Sequence, residues 1–204
     1  YGFHYYNHQL IVRTSNSRFF NNVFGDSSYI VHYMTYIGWN LNTIIQTGSN
    51  FGSDQRHDNP FLCDIGTGTM VSGGLKMINE TMSSSSFKLG QVKVGDYNYL
   101  GNYIRIPSES KVGENVLIGT KMLVPIDGPI RENVGLLGSP CFEIPRAVSR
   151  DLQMSKMDEE TTNRQLRKKL RYNIGSSTLF LLNNWFLSFM TTFFGVIALL
   201  NFQN

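Results

Sequence analysis

"VKVGDYNYLGNYIRIPSESKVGENVLIG", residues 92–119, sets an aliphatic side chain at every sixth position: Val94, Leu100, Ile106, Val112 and Ile118. A glycine or proline stands directly behind each of them. The count runs on through Val124, Ile130 and Leu136, so eight positions share one register. Neither the helical period of 3.6 nor the strand period of 2 generates a six. A chain coiling through three short flat strands per turn does. Each aliphatic side chain then points into a narrow prism, and the residue behind it sits near a corner, where small or φ-permissive types fit. One three-sided coil takes roughly eighteen residues, so positions 94–136 supply a little over two coils. The expected fold is mainly β: a left-handed parallel β-helix of hexapeptide repeats, whose stacked coils bury one another's faces.

Traces of the period lie upstream. Ile65, Val71 and Met77 share a register, and Ile37-Gly38 and Phe51-Gly52 have the look of earlier corners. The count breaks twice, because 51 to 65 holds two hexads plus two residues and 77 to 94 is not a multiple of six. Extra residues must leave the stack as loops, usually on a binding face. The expected loops are "SDQRHDNPFLC" and "INETMSSSSFKLGQ". At the far end, "GLLGSPCFEIPR" is punctuated by Gly138, Pro140 and Pro145. It reads as an extended cap over the last coil, leaving Glu143 and Arg146 for contacts with other domains.

Only 16% of the 204 residues are charged, low for a free-standing soluble domain, and the C-terminal quarter accounts for it. Ser177 to Phe202 carries no charged residue, and as a helix its length of about 39 Å crosses a bilayer with some tilt. Asn183 and Asn184 need either headgroups or hydrogen-bond partners there. Just before it, Arg164, Arg167, Lys168, Lys169 and Arg171 cluster. Positive-inside bias keeps such a cluster, and with it the coil, on the cytoplasmic side beside membrane lipid. A net charge of only +3 argues against nucleic acid as a partner. The stretch from about Asp151 has helix-forming composition. Near the start, "SSYIVHYMTYIGWN" puts Ile30, Met34 and Ile37 on helical spacing behind Ser27 or Ser28 as N-cap. The expected organisation is a membrane-proximal, amphipathic lead-in over 1–35, the β-helix over 36–146, a basic linker helix over 147–175 and a transmembrane helix over 176–204. The abrupt start at Tyr1 reads as a piece of a longer chain.

Cys63 and Cys141 lie far apart without metal-ligand spacing and read as reduced, packed thiols, so no metal is expected. His57 is the best general base in the chain, since imidazole titrates nearest neutrality. Asp54 and Asp58 flank it, and either can orient it; a surface histidine in a polar loop is the competing reading. Asn79, Glu80 and Ser85 in the second loop are polar groups for holding substrate or an oxyanion, although a serine-rich loop is commonly just flexible. His4, His8 and His32 lie among aromatic or helical residues and read as packing or surface groups.

Four stretches carry a family resemblance over roughly residues 24–195: "SNFGSDQRHDNPFLCDIGTGTMVSGGLKMIN", "VKVGDYNYLGNYIRIPS", "VPIDGPIRENVGLLGSPCFEIPR" and "RYNIGSSTLFLLNNWFLSF". Together they resemble the C-terminal membrane region of the ε-poly-L-lysine synthetase-like non-ribosomal peptide synthetases. "GLLGSPCFEIPR" is the most specific part, since hexapeptide repeats occur in many acyltransferases. The resemblance implies one of three tandem acyltransferase-like domains, with the transmembrane helix that follows, in a bacterial inner membrane. It implies amide-bond formation between an aminoacyl thioester and the amine of an amino acid or peptide. The thioester would ride on the phosphopantetheine of a carrier domain, with sister β-helix domains alongside and no cofactor held directly. Where tandem domains of this type often carry a "THLFEDR"-like segment, this chain has "NETMSSSS", without the histidine, the arginine or the paired acids. Two other readings stand beside this one: a non-catalytic scaffold that pairs with a sister domain, and a stand-alone acetyltransferase that uses acetyl-CoA.

Overall fold

The structure is a computed structural model and describes residues 2–25, 27, 29–41, 45–46, 54–146 and 159–202. Contacts divide the chain into two units, Tyr1–Asp158 and Glu159–Asn204.

The first unit is a three-sided parallel β-helix. Very short strands succeed one another around three sheets: β1 (Asn40–Leu41), β4 (Cys63–Ile65), β9 (Val92–Val94) and β12 (Lys111–Val112) form sheet A. Sheet B holds β2 (Ile45–Gln46), β5 (Met70–Val71), β10 (Tyr99–Leu100), β13 (Leu117–Ile118), β14 (Val134–Leu137) and β15 (Phe142–Pro145). Sheet C holds β3 (Arg56–His57), β6 (Lys76–Ile78) and β11 (Arg105–Pro107). The ladder spacing fixes the coil length, because Val94 pairs with Val112, Leu100 with Ile118 and Ile118 with Leu136, eighteen residues apart each time.

Departures from eighteen locate the insertions. Ile65 pairs with Val94, Val71 with Leu100 and Met77 with Ile106, all 29 apart. The surplus of eleven leaves the stack as an antiparallel hairpin, β7 (Glu80–Met82) with β8 (Phe87–Leu89), so the expected second loop exists as a hairpin. His57 pairs with Met77 at an interval of twenty, and the two extra residues are taken up by a 3-10 turn at Pro60–Leu62. The expected first loop is therefore not extruded at His57, which lies within strand β3 of the coil.

Two inward rows fill the prism. The row read from the sixfold count is buried from Ile65 through Val124 and at Leu136, but Ile130 is 54% exposed. Val112 bridges Arg131 rather than Ile130, so the segment 125–130 bulges out by one residue before the register recovers at Leu136. The second row stands two residues ahead of the first: Val92, Asn98, Ile104, Ser110, Val116 and Met122, all buried. Asn98 is tolerated inside because its amide donates to Gly95 O and Gly113 O, both at 2.8 Å, while its Oδ1 accepts from Val116 N at 2.6 Å.

Corners repeat a left-handed residue every sixth position, at Tyr97, Tyr103, Glu109, Asn115 and Lys121, with φ between 55° and 64°. Earlier coils place Gly68 and Gly74 at the equivalent corners, and the Tyr97 and Tyr103 rings lie over them. The residue behind each inward aliphatic is constrained by contact. A Cβ on Gly95 would stand 2.6 Å from Gly113 O in the next coil, a backbone atom that has nowhere to go. Gly95→Ala is expected to cost about 1–3 kcal/mol of unfolding free energy in urea titrations, and an unchanged midpoint would contradict this close approach.

Three helices precede the coil: α1 (Phe3–Ser15), α2 (Arg18–Phe24) and α3 (Tyr29–Ile37). As the spacing predicted, α3 buries Ile30 and Met34, and Ser27 Oγ accepts from Tyr29 N at 3.3 Å at its start. With Trp39 these side chains join the coil's core at its first turn. Ile37-Gly38 is the end of this helix and not a corner, while Phe51-Gly52 lies outside the described residues. At the other end, β15 pairs antiparallel with β14 and finishes sheet B, the capping role expected of "CFEIP". Glu143 there accepts from Arg131 Nε at 3.0 Å. Both cysteines are free, Cys63 buried and Cys141 half-buried.

The second unit is one helix, α4 (Glu159–Phe202), of 44 residues. Linker and span are thus a continuous element; residues 147–158 lie outside the described residues. Arg167–Leu200 is long and apolar enough to cross a membrane. The amide of Asn184 meets its need within the helix by donating to Phe180 O at 2.8 Å, and Thr191 and Thr192 donate to Leu187 O and Ser188 O.

Candidate functional site

His57 faces inward from β3, 2% exposed, with Trp39 edge-on to its ring at 5.4 Å. Its Nε2 lies 3.0 Å from Ser15 Oγ on α1, and its Nδ1 lies 3.0 Å from Gln55 Nε2. The proton order follows from the remaining partners. Ser15 Oγ donates to Ile11 O at 2.6 Å, so it must accept from His57 Nε2–H, and Nδ1 must accept from the Gln55 amide. This serine–histidine contact runs opposite to an activated nucleophile, where the imidazole would take the serine proton. Burial also pushes the imidazole down to about 4, holding it neutral. The expectation that His57 stands in an open loop is corrected: it is a packed, neutral hydrogen-bonding residue between α1 and the first coil.

Asp58 does not orient His57. Its Oδ2 accepts instead from the backbone amides of Asn79 at 3.1 Å and Glu80 at 3.3 Å, pinning the chain where the hairpin departs. Asn79 is fully buried rather than open to substrate. Its amide donates to Leu62 O and Gly90 O, closing the hairpin's neck, and its Oδ1 accepts from Asn59 N and Cys63 Sγ. Burial raises the Cys63 thiol above its ordinary value, which leaves it protonated and inert. Glu80 sits 3.4 Å from Nε2 of His8, a buried residue of α1 stacked on Phe87 of the hairpin. His8 is thus a packing group, as its aromatic neighbourhood in the sequence suggested, but nothing in residue order places α1 beside the hairpin. Ser85 is exposed in the hairpin turn, and Asp54 is exposed at the edge of sheet C. The six expected residues therefore do not converge on one site: four of them, His57, Asp58, Asn79 and Glu80, with His8, fasten the hairpin and α1 to the coil.

Among the described residues, two recesses on the outside of the coil gather charged side chains. The larger, about 990 Å³, runs over sheet A between the hairpin's end and the segment 125–132, which includes the bulge. Lys93, Lys111 and Arg131 lie along it, and Leu89, Ile126 and Ile130 give it an apolar rim. The bulge that takes Ile130 out of the core is thus one of its walls. The smaller, about 610 Å³, lies over sheet C and brings Asp54 together with Arg56, Lys76, Tyr103, Arg105 and Lys121. Among the described residues no group of three or more His, Cys, Asp or Glu side chains is placed to hold a metal ion.

No family model matches the sequence, and no curated protein is similar to it. Among solved structures, the chain is similar to a maltose O-acetyltransferase from Clostridium difficile 630, at 16% identity and a TM-score of 0.45 over 65% of this chain and 83% of that one.

Proposed function

We propose that this chain serves acyl transfer from a thioester, in the form the sequence resemblance implies: an aminoacyl group on a carrier domain's phosphopantetheine, passed to the amine of an amino acid or peptide. The observation that carries this reading is the recess on sheet A. Its length of apolar rim at Leu89, Ile126 and Ile130 suits an extended pantetheine arm, and the cations Lys93, Lys111 and Arg131 suit the phosphate at its end. The donor supplies an activated carbonyl; this chain's residues bind the arm, orient it along the coil and limit water around it. The carboxylates at the same recess, Glu109, Glu114 and Glu132, are the charges an incoming ammonium would meet.

The burial of His57 favours a second reading, in which this coil is the non-catalytic wall of a site completed by a sister domain. Its imidazole cannot reach a substrate without displacing α1. In either case the basic cluster on α4, from Arg164 to Arg171, precedes the apolar stretch, and positive-inside bias sets the coil on the cytoplasmic side of a bacterial inner membrane, bound to its lipid.

The test is calorimetric titration of the full chain in detergent with aminoacyl-phosphopantetheine and, separately, acetyl-CoA. Binding of the first, weakened at least about tenfold by Lys93→Glu with Lys111→Glu, is the expected result. Tighter binding of acetyl-CoA together with acetyl transfer in the absence of any carrier domain would replace the reading with a CoA-dependent acetyltransferase. Failure of both ligands to bind would sink the donor recess.

A further inference from the structure

Sheet C stacks like charges. Arg56 pairs in register with Lys76, and Lys76 with Arg105, so one outward position on three consecutive strands carries three cations. Their neighbours along each strand, His57, Met77 and Ile106, point into the core, which fixes the cations on the outer face. Parallel strands lie about 4.8 Å apart, and like charges directly opposite one another are destabilising. Lys121 stands at the same recess, so four cations less the one carboxylate, Asp54, leave it at +3, which equals the net charge of the whole chain.

Sheet A also stacks two cations, Lys93 on Lys111, but its ladder places Asp64 beside Lys93. Lys88 meets Glu109, and Arg131 meets Glu143. On sheet C none of Arg56, Lys76, Arg105 or Lys121 makes a salt bridge or side-chain hydrogen bond among the described residues. A recess of about 610 Å³ with the Tyr103 ring on its edge opens over them.

We infer that the sheet C recess is a binding site for an anion carrying two or more linked phosphoryl groups, separate from the sheet A recess and independent of the acyl-transfer reading. The order of the cations argues for this class. Two guanidinium forks, each able to hold a phosphoryl group through paired hydrogen bonds, flank one ammonium that acts as a point charge between them. A single phosphate engages one fork at a time, whereas a linked chain of phosphoryl groups spans the ladder and offsets its repulsion. The phosphoryl chain can belong to a soluble molecule or to a lipid headgroup.

The experiment uses the full chain in nanodiscs of zwitterionic lipid, titrated with tripolyphosphate and with orthophosphate. Tripolyphosphate is expected to bind at least tenfold more tightly than orthophosphate, with an affinity that falls as salt rises. Arg56→Gln with Arg105→Gln is expected to lower that affinity at least tenfold and, without ligand, to raise the melting temperature by relieving the stacked charge. Lys88→Gln, a change on the hairpin outside the lining of both recesses, is expected to leave the affinity unchanged, and Lys93→Gln with Lys111→Gln is expected to remove only weaker tripolyphosphate binding at the sheet A recess. Nanodiscs containing a polyprenyl diphosphate then identify the source, since displacement of bound tripolyphosphate marks a lipid-borne ligand and no displacement a soluble one. Equal binding of the two phosphates, or unchanged tripolyphosphate affinity in the double arginine variant, overturns the site. So does loss of the tighter binding in the Lys93 and Lys111 variant, which would move the anion to sheet A.

Discussion

Ile118→Ala is expected to cost about 2–5 kcal/mol of unfolding free energy, while Ile130→Ala, in the same sixfold register, is expected to change it by less than about 0.5 kcal/mol. Ile118 is fully buried on β13, between Leu100 and Leu136 in the ladder, so truncating it leaves a cavity that its neighbours on two coils cannot fill without breaking their own register. Ile130 is 54% exposed in the bulge over sheet A, where alanine removes apolar surface that already faces water. Urea unfolding of the detergent-solubilised chain, followed by circular dichroism, measures both. Similar costs for the two variants would mean that Ile130 belongs inside the prism and that the recess wall at 125–132 is misplaced. The Ile130 variant has a second use, because it removes part of the apolar rim and is expected to weaken donor binding while leaving stability alone.

Acidification from pH 6.5 to 4 is expected to remove about 3 kcal/mol of stability through His57 alone. In the unfolded chain the imidazole takes up a proton near 6.5, whereas burial holds it near 4 in the folded one. Between those values the unfolded state binds more protons, so the free energy of unfolding falls as pH falls. The contribution is present in full above about 6.5, drawn down across the window, and exhausted below about 4. His57→Gln can still donate to Ser15 and accept from Gln55, so it is expected to lower stability at neutral pH by a fixed amount and to flatten the acid limb. The readout is the difference between the two stability curves, in which other titrating groups cancel. Parallel curves would show that the ring is solvated and would restore His57 as a candidate base.

Several features of this protein were open to a reader of residue order alone, and others were not. The row from Val94 to Val124 was legible because its spacing is uninterrupted and each member has a small or proline residue behind it. The second inward row, two positions ahead, was missed although Val92, Ile104, Val116 and Met122 share a register of their own. Asn98 and Ser110 interrupt it, and a buried asparagine is recognisable only once the carbonyls of Gly95 and Gly113 are seen within reach of its amide. The break between Met77 and Val94 correctly marked where residues leave the stack, whereas the earlier one predicted an extruded loop where the chain keeps His57 in the coil. The count could not show that the shorter surplus folds into a 3-10 turn and keeps His57 in a strand, while the longer one forms a hairpin.

Residue order by itself determined the coil, its length of eighteen, its end at "CFEIP" and the long apolar helix, because each is a local pattern repeated or contrasted along the chain. Tertiary structure alone decided which polar residues meet. Coils separated by 20 and 29 residues bring Arg56, Lys76 and Arg105 into one ladder, and α1 reaches His57 and Glu80 from more than forty residues away. The physical reason is that a solenoid's core obeys a period, whereas contacts on its outer face depend on the sum of every insertion between them.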